Sequence, residues 1–209
     1  MNWDWQAPMA EAKKVVVGVS GASGALLAFQ VMEMLSGLAS VETHLVVSSA
    51  ARLTLAHEIG PDAEARLREL SDHVHDIGSL GAPIASGSFP VHGMIVTPCS
   101  MRTLAAIATG MTDNLLTRAA DVQLKERRRL VLLTRETPLH LGHLRNMVTA
   151  TEMGAIIMPP VPAFFHRPTS VEDIVRHIAA RGIDALQLPV ATQATAWRGL
   201  DQSNSEAAT

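Results

Sequence analysis

Apolar residues in this chain fall in short runs separated by longer amphipathic stretches. Val15 to Val19 is apolar on both faces, the mark of a strand buried inside a parallel sheet. A turn of small residues, Ser20 to Ala25, follows it. Leu26, Leu27, Phe29, Met32 and Leu35 then recur at helical spacing. The alternation continues to the end. Thr43–Ser48, Val74–Ile77, Met94–Thr97, Leu130–Thr134 and Ala155–Met158 read as further strands. Helices are expected over Ala50–Glu58, Ala63–Leu70, Ser100–Thr109, Asn114–Arg127 and Leu141–Met153. Ser170 caps a last helix that runs to about Leu186, with Glu172 and Asp173 in its first turn where they suit the helix dipole. Gly78–Val91 is a long Gly/Ser/Pro-rich loop, and loops of that length are often functional. Strands alternating with helices predict an α/β fold, a single Rossmann-like doubly wound parallel sheet with helices on both faces. The whole chain, 1–209, is expected to be one domain, with 1–13 as an N-terminal extension and 188–209 as a C-terminal tail.

Composition narrows the function classes. Hydrophobic residues make up 47% and charged residues 18% of the 209, enough to bury a sizeable core. Lys and Arg (17) nearly balance Asp and Glu (20), so no basic stripe points to nucleic acid. Aromatics are 3% and tyrosine is absent, which weighs against a site that stacks bases. The single cysteine, Cys99, can form neither an intrachain disulfide nor a cysteine metal cluster. Neither a signal-peptide core nor a membrane-length apolar stretch is visible, so no membrane association and a cytoplasmic location are the expectations.

Four groups of residues could carry chemistry. Gly21-Ala22-Ser23-Gly24 joins the first strand to the first helix. Glycines there permit close backbone approach, and the helix start favours an anion such as a phosphate. The same turn would also serve as a plain connection. It fits neither GxGxxG nor GxSxG, so a dinucleotide fingerprint and a hydrolase elbow are disfavoured. Thr97-Pro98-Cys99-Ser100 lies at a strand end, where Cys99 reads as a nucleophile or, more simply, as a small buried residue. Arg118, Lys125, Arg135, Glu136 and Arg181 form the third group. If they converge on a strand-end cleft they would hold a phosphate and move a proton; otherwise they are surface ion pairs. His140 and His143 could ligate a metal, but no third ligand is near them in sequence.

Taken together, several stretches resemble the flavin prenyltransferases, the UbiX or Pad-type proteins. They are VSGASGA (19–25), ASGS (85–88), TPCSMRTLAAIATGMTDNLLTRAADVQLKERRRLVLLTRETP (97–138), GHLRNM (142–147) and PPVPAFFHRPTSVEDIV (159–175). They occur in order over nearly the whole chain. The resemblance implies FMN as the cofactor and dimethylallyl monophosphate as the donor. It implies a new ring closed through the flavin N5 and C6 atoms, with no metal needed. The product would serve a UbiD-type decarboxylase, and the protein would be a homo-oligomer, up to a dodecamer, with sites between subunits.

Carried over residue by residue, the resemblance assigns Gly21, Ala22, Ser23 and Gly24 to the FMN phosphate turn. Ser48, Ser100, Met101 and Arg118 would also contact FMN. Ser86 and Gly87 belong to the loop near the prenyl phosphate, and Trp197 to a C-terminal position near the site. Lys125, Arg135, Glu136 and Arg181 match the phosphate and acid–base cluster, where cations would stabilise the departing phosphate. The chain departs from the family at Phe165, where a tyrosine hydroxyl is expected to help bind the prenyl phosphate. Losing such a hydrogen bond to a charged group costs about 1.5–3 kcal/mol. Arg145 stands where glutamate is usual, and Gly182 should weaken the last helix. Two alternatives stay open. One is an FMN-dependent decarboxylase of cysteine-type substrates, against which TPCSMRT stands in place of a PASANT-like segment. The other is a non-catalytic FMN-binding or delivery subunit of a decarboxylase system.

Overall fold

The buried apolar runs pair side by side into one parallel sheet. In the computed structural model, residues 12–199 are described; the rest of the expected N-terminal extension and tail, 1–11 and 200–209, lie outside the described residues. The strands are β1 (Lys13–Val19), β2 (Val41–Val47), β3 (His73–His75), β4 (Val91–Cys99), β5 (Arg129–Thr134) and β6 (Ile156–Ile157). Their order is β3-β2-β1-β4-β5-β6, with every neighbouring pair parallel. The helices are α1 (Ala25–Ser36), α2 (Ser49–Glu58), α3 (Ala63–Glu69), α4 (Met101–Ala108), α5 (Leu115–Lys125), α6 (Leu141–Glu152) and α7 (Val171–Ala185). This is the doubly wound α/β fold that the alternation predicts.

Both faces of the sheet are covered, which is why its strands are apolar on both sides. Val15, Val17, Ile95, Val131 and Leu133 pack against α1, α2, α3 and α7. Val16, Val46, Met94, Val96, Leu130 and Leu132 pack against α4 and α5. Gly182 lies where α7 presses on the sheet. A Cβ there would come within 2.9 Å of Ile95 Cδ1, so the glycine costs about 1 kcal/mol of helix propensity and in return permits the contact. α7 itself starts with a full capping box between Ser170 and Asp173.

Strand bounds differ from the sequence reading where the backbone decides. β1 begins at Lys13, because pairing with Val41 of β2 takes in both lysines whatever their side chains. β4 runs from Val91 to Cys99, longer than Met94–Thr97, since it is paired on both sides. β3 is His73–His75 rather than Val74–Ile77; its pairing with β2 ends at His75. α5 stops at Lys125, and Arg127 takes a left-handed φ of 57°. The long loop contains one 3-10 turn, Pro83–Ala85. Among the described residues, no helix is long and apolar enough to cross a membrane.

Strand order reverses between β1 and β4. Connections diverge to opposite sides there, leaving a crevice at the carboxyl ends of the strands.

Candidate functional site

Helices α1, α2 and α4 begin beside this crevice, and each brings N–H groups without partners inside the helix and a positive dipole end to it. Ser48 caps α2 by accepting from the Ala51 N–H at 3.1 Å. Ser100 caps α4 by accepting from the Thr103 N–H at 3.3 Å. Both caps have the same backbone angles, φ −73° and ψ 156°. Ser20 ties the two sides together. Its hydroxyl donates to the Pro98 carbonyl at 2.9 Å and accepts from the Ser100 N–H at 2.8 Å. Gly21 packs against the start of α2, where a Cβ would lie 2.9 Å from the Ala50 carbonyl carbon. Only glycine fits that approach.

A cleft of ≈640 Å³ opens between these helix starts, within the usual range for small-molecule sites. Gly21, Ser48, Ser100, Met101, Asn114 and Glu136 line it. Glu136 sits just past β5 and accepts from the Thr137 N–H at 2.9 Å. The Arg135 N–H donates to the Cys99 carbonyl at 3.0 Å, which fixes where the Arg135–Glu136 pair leaves the sheet. Cys99 itself is fully buried, and burial pushes its thiol up to about 12. It is a packing residue with no thiolate at neutral pH.

The third helix start already holds an anion. Gly24, at a left-handed φ of 113°, and Ala25 donate their N–H groups to the Glu58 carboxylate at 2.9 and 2.8 Å. Burial raises the Glu58 pKa, but the Ala25 and Gly24 N–H groups, the Ser23 hydroxyl and Arg135 outweigh it and hold the carboxyl below its ordinary value. Ser23, Gly24, Arg135 and Glu58 are therefore one cluster. Sequence reasoning missed Glu58. As the last residue of an amphipathic helix, it carries nothing in its spacing to separate it from a solvated surface charge.

The remaining candidates lie elsewhere. Phe165, Arg181 and Trp197 line a second cleft of ≈500 Å³ together with His177 and Met158. Phe165 meets Trp197 edge to face, with centroids 5.5 Å apart. Ser86 and Gly87 belong to the loop that crosses α5. Arg118 Nε donates to the Ala85 carbonyl at 3.1 Å, and its Nη1 to Asp121 at 2.7 Å. Arg128 donates to the Gly87 carbonyl at 2.6 Å, and Lys125 pairs with Glu126. Lys125 ends α5, which leads into the amino end of β5, so it stands at the opposite sheet edge from Glu136. Within one chain, then, the five charged candidates do not converge. Arg135 and Glu136 stand at the crevice, Arg181 in the second cleft, and Arg118 and Lys125 at the loop. His140 and His143 are stacked, but His140 Nδ1 accepts from the Gly142 N–H at 3.0 Å and so caps α6.

A profile of the Flavoprotein family matches residues 6–182. The chain belongs to the flavoprotein family. Flavin prenyltransferase UbiX of Escherichia coli (strain K12) is 52% identical over 182 residues, covering 85% of this flavoprotein and 94% of that protein. The crystal structure of AnUbiX in complex with FMN and dimethylallyl pyrophosphate matches with a TM-score of 0.86 at 46% identity, covering 91% of this chain and 100% of that one. A dodecameric FMN-dependent UbiX-like decarboxylase from Escherichia coli O157:H7 matches at 0.84 and 45%, covering 90% and 100%. FMN-dependent cysteine decarboxylases such as TvaF share the fold alone, at 15% identity.

The crevice of this flavoprotein fits FMN on its own geometry. Two capped helix starts face a cleft of suitable size, and Gly21 leaves room for close backbone approach.

Proposed function

We propose that this flavoprotein is a flavin prenyltransferase. It transfers a dimethylallyl group from dimethylallyl monophosphate to reduced FMN, making prenylated FMN for a UbiD-type decarboxylase. The observation that carries this reading is the crevice itself, an FMN-sized cleft between two helix starts lined by Glu136, in a chain about half identical to UbiX enzymes.

Each residue has a part. Gly21, Ala22, Ser23, Gly24 and Ser48 hold the FMN phosphate by backbone N–H and hydroxyl groups, the phosphate taking the place of the Glu58 carboxylate at Ser23 and Gly24. Ser100 and Met101 support the flavin. When bound, reduced FMN supplies the electron-rich N5 and C6 positions. Lys125, Arg135 and Arg181 hold the donor phosphate and stabilise its charge as the allylic C–O bond breaks. Glu136 takes and returns the protons of ring closure. Phe165 and Trp197 wall the prenyl group away from water, which protects a reactive allylic carbon.

These groups come together only in a homo-oligomer, a dodecamer in our reading. Arg118, Lys125, Ser86 and Gly87 then face the crevice of a neighbouring copy. Two observations support this. The charged sets are separated within one chain, and Leu139, Leu141, Leu144, Val148, Val161 and Phe164 expose large apolar surface. We further propose that the whole chain is one flavoprotein-type domain. Its single cysteine, which rules out an intrachain disulfide, is consistent with a cytoplasmic location.

The test is anaerobic incubation of the protein with reduced FMN and dimethylallyl monophosphate, followed by mass spectrometry of the released flavin. A flavin heavier by one cyclised five-carbon unit is the expected product. Phe165 favours one second reading, an FMN carrier without prenylation, and unmodified FMN with both the monophosphate and the diphosphate donor would select it.

A further inference from the structure

A cluster of imidazoles stands apart from all of these clefts. β2 and β3 run parallel, with His44 opposite His73 in register. Side chains two apart on a strand share a face, so Glu42 and His44 of β2 project beside His73 and His75 of β3. His44 Nε2 lies 3.2 Å from Glu42 Oε1, and His73 Nε2 lies 3.1 Å from the same oxygen. The three ligand atoms all fall within 4.8 Å of one another.

We propose that Glu42, His44 and His73 form a binding site for a divalent transition-metal ion of the zinc class. Two imidazoles and one carboxylate, with a fourth position left for water, are a familiar tetrahedral zinc set. Imidazole suits zinc, cobalt, nickel or copper, whereas magnesium and calcium want oxygen donors throughout. Bond lengths of about 2.0–2.1 Å place tetrahedral ligand atoms roughly 3.3 Å apart. The two separations to Glu42 match that spacing without any movement. The His73 ring stacks on His44 with centroids 4.6 Å apart, and its side chain is 51% accessible, which leaves its outer edge room to turn onto the ion.

The surroundings are those of a prepared site. His44 is buried, and its Nδ1 lies 3.0 Å from His75 Nε2. A proton on Nδ1, donated to His75, leaves the Nε2 lone pair aimed at the ion; metal-binding histidines are commonly held this way. Glu42 offers Oε1 to the rings, while its Oε2 lies 3.6 Å from Lys14 Nζ, which fixes the carboxylate. Phe89 closes one side, edge-on to His44 at 5.4 Å.

The backbone between the ligands is also fixed. Thr43, between Glu42 and His44, donates its N–H and hydroxyl to Asp72 Oδ2 at 2.8 and 2.9 Å and accepts the Asp72 N–H at 3.0 Å. Asp72 directly precedes His73, so these bonds set the ligands' mutual position before an ion arrives. A bound ion would clip the three-residue edge strand β3 to β2. It would thereby anchor the start of the loop that carries Ser86 and Gly87.

The test is titration of the tag-free, chelator-treated full chain with Co²⁺, followed by visible absorption, with Zn²⁺ as competitor. One Co²⁺ per chain is expected, with the intense bands of a tetrahedral site, displaced by Zn²⁺. His73→Ala and Glu42→Gln should each weaken binding at least about tenfold, while an unchanged far-UV spectrum and retained FMN show that the variants fold. The double variant His140→Asn/His143→Asn should bind as the parent does. Zn²⁺ should raise the melting temperature of the parent and not that of His73→Ala. No tetrahedral Co²⁺ spectrum, or equal affinity in the parent and His73→Ala, overturns the proposal.

Discussion

The two ends of the sheet are built from different material. At the carboxyl edge, the site is mostly backbone. Helix starts capped by Ser48 and Ser100, the Ser20 bridge and the close approach at Gly21 are all made within one chain. At the far end of α5, the groups proposed to act are tips of long side chains. Lys125 rests on Glu126 and Arg118 on Asp121, as surface pairs worth little to stability. On the proposed reading, the difference means that a phosphate seat is complete in one fold while Arg118 and Lys125 act on the crevice of another copy.

The sharpest way to break this contrast is at Glu136. Glu136→Gln keeps the shape of the cleft but removes proton transfer. Turnover should fall about 10²–10⁴-fold with FMN still bound, as measured by single-turnover product analysis and flavin absorbance. Unchanged turnover would remove Glu136 from the chemistry, and loss of FMN would make it a binding residue.

The backbone end is probed next. Gly21→Val places a side chain against Ala50 and should cost about 1–3 kcal/mol in urea unfolding, with FMN retention falling alongside. Gly81→Ala is the control, since a Cβ there meets nothing within 4 Å. Equal effects from the two would mean that close approach at Gly21 does not shape the site.

How far these two ends could be read beforehand follows the same division. The strands around Val15 and Val131 were legible because burial on both faces demands continuous β-branched and aliphatic runs. The turn at Gly21–Gly24 and the caps at Ser48 and Ser100 were legible because they depend on local backbone chemistry. The positions of Lys125 and Arg135 relative to each other were not, since ten residues of separation do not say which sheet edge each side chain reaches. Glu58 and the Glu42–His44–His73 cluster were illegible for a related reason. Each is assembled by contacts between elements roughly 30 residues apart, as for Glu58 with Gly24 and His44 with His75. Gly182 looked like a flaw in a helix and is instead where α7 meets Ile95.

A smaller effect is expected at the second cleft. Phe165→Tyr adds a hydroxyl beside Arg181 and Trp197 and should lower the KM for the prenyl phosphate by about tenfold or more, the equivalent of one hydrogen bond to a charged group. An unchanged KM in steady-state assays would mean that the phosphate is held wholly by cations.

The division of the site between copies is tested most directly by complementation. Lys125→Ala and Glu136→Gln chains would be co-expressed with different tags, and mixed oligomers isolated by sequential purification and assayed for prenylated FMN. Each parent variant should be nearly inactive, and the mixed oligomers should regain turnover, because some crevices then pair an intact Glu136 with an intact Lys125 from a neighbour. Mixed oligomers as inactive as their parents would contradict the account and place both residues in the same copy's site.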